Sequence, residues 1–177
     1  MSNLRFLSEH SATSVSTFSV TDVFTSDFDI FKIVVTDIDQ SSSGGSHVNA
    51  KFINSSGSVI TGANYDYSRQ QLRAYGSFLE DRGVNQGVFR LLGQITGNSA
   101  IGTGAVIYIF NPTNTNSHTL AIGENVGFYE TAGLLGGKGI ACLTELNSIT
   151  GLQFSLQNSG TTFDSIKFKI YGIRVDT

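Results

Sequence analysis

The chain has 177 residues, a length that fits one domain and can bury a core without disulfide or metal staples. Hydrophobic residues make up 40% and charged residues 14%, and the net charge of −3 gives no overall field that favours nucleic acid. A single cysteine, Cys142, excludes an intrachain disulfide, and no apolar stretch reaches the ~18–20 residues of a membrane-spanning helix.

The first ten residues lack the basic-then-apolar pattern of a signal peptide, so synthesis and folding in a cytoplasm are expected. Residues 1–12 are set apart as an extended N-terminal arm of a single domain spanning 1–177. Beyond them, short β-favouring runs alternate with clusters of Gly, Ser, Asn and Asp. Strands are predicted near 13–20, 28–37, 47–54, 57–61, 64–69, 87–96, 104–111, 119–130, 138–144, 149–157 and 163–175. The runs 28–35 and 105–110 are apolar on both sides, which points to central strands covered on both faces by a second sheet or another subunit. Ser41-Ser-Ser-Gly-Gly45, Asn54-Ser-Ser-Gly57 and Asn111-Pro-Thr-Asn114 carry turn chemistry.

Within 68–79, Leu72, Tyr75 and Leu79 fall at helical spacing, while Gly76 and Gly83 oppose a helix; a short helix and a long loop both stay open. Leu152, Phe154 and Leu156 alternate with Gln153, Ser155 and Gln157, which gives one buried and one wet face. Ile166, Phe168 and Ile170 alternate with Lys167 and Lys169, after which Tyr171, Ile173 and Val175 carry the apolar phase. Gly172 sits at this flip and reads as a bulge or a bend onto the other sheet. Together the pattern predicts an all-β, antiparallel two-sheet sandwich, jelly-roll-like, of about ten strands. Its core is expected to enclose Ile33, Val35, Ile107, Ile109, Phe154, Leu156, Phe168 and Ile170.

Chemistry-bearing residues are sparse. His10, His47 and His118 lie far apart and show no metal spacing; His47 and His118 border loops and read as solvated. Cys142 lies in the apolar run Gly-Ile-Ala-Cys-Leu and reads as a buried thiol. Leu135-Gly-Gly-Lys-Gly139 lacks the spacing of a phosphate loop and reads as a turn, and no nucleophile elbow is present. The pairs Asp27/Asp29 and Asp37/Asp39 place two carboxylates at alternate positions, so Asp37 and Asp39 are a calcium candidate; solvent-marking charges at strand ends are the plainer reading. Asn64, Tyr65, Asp66 and Tyr67, next to Arg69, form an aromatic-polar stretch suited to a sugar or peptide, with strand packing as its alternative. No catalytic residue, cofactor or transition metal is expected.

The ending Phe163-Asp-Ser-Ile-Lys-Phe-Lys-Ile-Tyr-Gly-Ile173 resembles that of small virion structural proteins of marine and cyanobacterial tailed bacteriophages. The run Phe28-Asp-Ile-Phe-Lys-Ile-Val-Val-Thr36 is similar to the first long core strand of the same group. Val48-Asn-Ala-Lys-Phe-Ile-Asn54, Asn64-Tyr-Asp-Tyr67 and Ile149-Thr-Gly-Leu-Gln-Phe154 follow in an order also similar to it. The resemblance covers roughly residues 25–175. It implies a non-enzymatic β-sandwich module of the virion, in a tail fibre or appendage, assembled in the host cytoplasm. A head-decoration protein is the alternative within the group, and it carries no catalytic residues.

The expected partners are the chain itself, as a homotrimer, and other virion proteins, with host-surface glycan as a further contact; neither nucleic acid nor membrane is expected. Surplus apolar surface and few charges support self-association, while the three-fold symmetry comes from the resemblance alone. A free carbohydrate-binding module and a hydrolase with a dispersed site are the competing readings.

Overall fold

A computed structural model describes residues 3–97, 102–129 and 133–174. The described residues form twelve strands and no helix: β1 (Leu4–Ala12), β2 (Thr17–Val20), β3 (Ile30–Gln40), β4 (Ser46–Asn54), β5 (Tyr65–Arg73), β6 (Leu79–Gln86), β7 (Gln94–Ile95), β8 (Gly104–Phe110), β9 (Thr119–Tyr129), β10 (Gly133–Leu143), β11 (Ile149–Leu156) and β12 (Phe163–Ile173). They lie in two antiparallel sheets. The larger has the order β1-β12-β3-β8-β9-β10-β5-β6, and the smaller has β2-β11-β4-β7. The expected all-β sandwich is therefore present, with the eight predicted core residues all buried between the sheets.

β9 buries every second residue along its length, and β12 does so from Ile166 onward, which is the period-2 signature of a strand with one face in a core. The core is aromatic-rich: Phe52, Tyr65 and Phe89 form one ring cluster, and Phe18 and Phe154 both pack edge-on against Phe168. Edge-to-face geometry suits the ring quadrupole.

Four strands cannot cover eight. The segment 87–97 crosses the inner face of β9, β10 and β5 and fills the uncovered part with Phe89, Leu91 and Leu92. Glycines make room for it. A Cβ on Gly123 would meet Leu91 Cβ at 2.9 Å, and one on Gly139 would sit 3.1 Å from the Leu91 backbone. Leu135-Gly136-Gly137-Lys138-Gly139, expected as a turn, is thus the middle of β10, where small residues admit a crossing chain.

Three further expectations change. The segment 68–79 is neither helix nor loop: it holds the second half of β5, a tight turn and the start of β6, a hairpin in the large sheet. Of residues 1–12, expected as an extended arm, residues 4–12 pair along β12 from Leu4↔Ile173 to Ala12↔Ile166 as an edge strand. The run 57–61 makes only an isolated bridge, Ile53↔Val59.

Nor does the register flip at Gly172. The inner face of β12 continues through Ile166, Phe168, Ile170 and Gly172, all buried, and the pairings with β1 and β3 run unbroken through Gly172. Gly172 is an inward position whose missing side chain leaves room for the Phe28 ring; a Cβ there would lie 2.5–2.6 Å from three ring carbons. Tyr171 and Ile173 instead face outward. Val175 and Glu130, assigned to strands from sequence, lie outside the described residues. Gly172→Ala is expected to displace Phe28 and destabilise the fold by roughly 1–3 kcal/mol, the usual cost of overpacking; urea unfolding measures it, and an unchanged midpoint would contradict this packing.

Candidate interaction surface

The two faces of the large sheet differ in what covers them. The inner face meets the small sheet and the crossing segment, while the outer face has no second layer within the described chain. Residues directly opposite in an antiparallel register point to the same side, so the outer face can be read off the pairings. One row across six strands runs Leu4, Ile173, Ile30, Phe110, Leu120 and Cys142. The next runs Phe6, Tyr171, Lys32, Tyr108, Ile122 and Ile140. Of these twelve side chains only Lys32 is charged, and its ammonium lies 5.7 Å from the Tyr108 ring centre. Phe6 is 53% exposed and Ile140 60% exposed. Contiguous apolar surface of this extent is uncommon on an isolated domain.

The third row is Glu9, Lys169, Val34, Val106, Glu124 and Lys138. Its charges pair within the sheet: Lys138 Nζ lies 2.8 Å from Glu124, and Glu9 bridges Lys167 and Lys169 at 3.0 and 3.8 Å. At one end Val84, Leu120, Ile140 and Cys142 line an apolar groove of about 500 Å³. Cys142 is therefore not a core thiol. It is half-buried on the outer face, and burial together with nearby Asp66 raises its pKa and keeps it protonated.

The runs 28–35 and 105–110 gain their two-sided apolar character from this geometry. Their inward residues enter the core, and Ile30, Val34, Val106 and Phe110 lie on the outer face, where no second sheet covers them.

A buried charge cluster occupies the gap between β5, β6 and β4. Arg69, whose side chain is 1% exposed, donates from Nε and Nη2 to Asp81 and from Nη1 to the Leu92 carbonyl. Its Nη2 also donates to Nδ1 of His47 at 2.7 Å. Arg90 lies 3.6 Å from Asp81 and donates to Asn49. Asn125 accepts from the Gly93 N–H at 2.8 Å. Arg69 and Asn125 thereby satisfy backbone groups of the crossing segment that no strand pairs, as buried polar groups require. His47 is a member of β4 and not a solvated loop residue; burial, then the Arg69 guanidinium, push its pKa down to about 4. His118 does lie exposed in a loop.

The sequence-predicted sites are dispersed. Tyr65 and Tyr67 point into the core, the first fully buried with its hydroxyl donating to the Ile60 carbonyl, so the strand-packing alternative holds for both rings. Asn64 donates to Glu145, and Asp66 accepts from the Asn85 N–H. No exposed aromatic platform results. Asp37 accepts from Ser165 at 2.6 Å and Asp39 from the Gln40 N–H at 2.8 Å. Asp27 lies in a turn, outside the strand alternation assumed for it. Among the described residues no group of three or more His, Cys, Asp or Glu side chains stands ready for a metal ion, so the calcium candidate gains no further ligands.

No family model matches the chain. No curated protein matches it either. Among solved structures, a fructofuranosidase variant from Schwanniomyces occidentalis in complex with fructosylnystose is similar over 96% of this chain and 34% of its own, at 6% identity and a TM-score of 0.27. The chain spans about a third of that enzyme, and a likeness at this level carries no argument about fold or function.

Arg69→Met leaves Asp81 and the Leu92 carbonyl without their partner and is expected to cost about 3 kcal/mol in urea unfolding, as breaking a buried ion pair does. His47 titrates at a lower pH in the folded than in the unfolded state. Its contribution to stability is therefore full above about pH 6.5 and declines as pH falls towards about 4. Burial also lowers the His10 pKa. His47→Asn should thus flatten, and not abolish, the fall in thermal midpoint across that window; an identical pH profile for variant and wild type would contradict the neutral, Arg69-bound imidazole.

Proposed function

We propose that the chain is a non-enzymatic structural module of a tailed-bacteriophage particle, of the tail-fibre or appendage kind, which works by burying the outer face of its large sheet against other subunits. The observation that carries this reading is the apolar band of two rows across six strands, exposed in the isolated chain. The resemblance of the strand motifs to small virion proteins supplies the particle.

How the polar side chains are used supports the non-enzymatic part. Arg69, His47 and Asp81 fasten the crossing segment, and Asp37 and Asp39 are engaged by Ser165 and the Gln40 N–H. His47, Arg69 and Asp81 do line a cavity, with Arg73, Glu80 and Gln94 beside them, but its lining holds no Ser, Thr, Cys or Lys to act as a nucleophile. Host glycan gains no support from the stretch Asn64–Tyr67, because both rings are in the core.

Particles purified on a density gradient and probed with antibody against the chain test the proposal. The chain is expected to band with the particles, with label on fibres or other tail appendages. Label on the head would replace the appendage reading with a decoration protein, and chain found only in the soluble fraction would overturn the virion role.

A further inference from the structure

The outer face has an internal order that fits a copy of itself. Across the six strands β1, β12, β3, β8, β9 and β10 its third row reads Glu9, Lys169, Val34, Val106, Glu124, Lys138: negative, positive, apolar, apolar, negative, positive. Reversing that order inverts the sign at every charged position and leaves the apolar centre in place. An isologous two-fold contact performs this reversal when its axis runs along the strands between β3 and β8.

We propose that two copies of the chain pair face to face through this surface. The specific partner rests on the assembly reading above. In the pair, Glu9 lies opposite Lys138 of the second copy and Lys169 opposite Glu124, while Val34 meets Val106. The second row obeys the same reversal. Phe6 meets Ile140, Tyr171 meets Ile122, and Lys32 meets the ring of Tyr108, an arrangement that adds a cation–π contact across the interface. In the first row every pairing is apolar: Leu4 with Cys142, Ile173 with Leu120, and Ile30 with Phe110.

Charge and area agree. Four charges that already pair in the sheet gain a second partner of opposite sign, and the two Lys32 side chains, which the axis brings near each other, each lie against Tyr108 rings. Six strands at ~4.8 Å spacing and three rows about 6.8 Å apart give a face of roughly 600 Å² in plan. Side-chain relief raises that towards the about 800 Å² that each partner contributes to a standard stable interface. Aligned sheets packing at about −30° are the ordinary way two twisted sheets meet. The pairing closes as a dimer, so the three-fold symmetry implied by the resemblance is not what this face builds.

Sedimentation equilibrium of the full chain at micromolar concentration is expected to give the mass of two chains. Lys138→Glu and Glu9→Lys, each at an exposed position, should weaken association roughly tenfold while leaving the thermal midpoint near that of the wild type. Mixing the two variants should restore association, because Glu at 138 then faces Lys at 9 and the unmutated Glu9 faces the unmutated Lys138. Ile122→Asp should give a folded single chain. A one-chain or three-chain mass for the wild type overturns the pairing, as does a mixture no stronger than either variant alone. These outcomes are separable from the virion test: a chain found on particles yet monomeric in isolation sinks the pairing alone, and a dimer absent from particles sinks only the particle assignment.

Discussion

Eight strands against four is the constraint on which the rest of the structure depends. A sandwich needs each sheet to cover the inner face of the other, and here half of the large sheet would stand open. The segment 87–97 closes that gap; Phe89 pairs with Ala50 and β7 with β4, but between them the Leu92 carbonyl and the Gly93 N–H have no ladder partner. Burying such groups without partners costs more than the apolar contacts return. Arg69 and Asn125 reach from the sheet to supply those partners, and Gly123, Gly137 and Gly139 give the backbone room to approach. An arginine in the interior is then not an anomaly to be explained by catalysis. It is a clamp whose own charge is balanced by Asp81 and whose remaining donor capacity is taken by a neutral His47.

Strand periodicity made most of the fold legible in the sequence. Leu152, Phe154 and Leu156, or Ile166, Phe168 and Ile170, announce both the strand and the face that is buried. Where the reading failed, one cause recurs: outward residues that are apolar. Tyr171 and Ile173 imitate a change of phase, Leu72 is an apolar residue on the outward side of β5, and Leu4 and Phe6 face outward on β1 while Leu7 packs on the core. A period-2 rule assumes one polar face, and the outer face of this sheet is largely apolar. The charge cluster was illegible for another reason. His47, Arg69, Asp81 and Arg90 belong to four different segments, and only the folded topology brings them together. The Asn64–Tyr67 stretch misled in the opposite sense, since aromatic residues at alternate positions are as good a sign of core as of binding.

The pairing of β1 with β12 has a consequence for how the molecule is made. Leu4 finds Ile173 and Ala12 finds Ile166, so the first strand of the fold waits for the last. β3 waits too, because β12 inserts between it and β1. Until that late strand leaves the ribosome, both carry a row of unpaired backbone donors and acceptors, the kind of template on which neighbouring nascent chains join. Loop-closure entropy must be met before these distant contacts return anything, which makes folding slow as well as late. A fold with this wiring completes its sheet only once β12 has emerged, and in a polysome crowded with identical copies the interval before β12 arrives is when it is most in need of a chaperone.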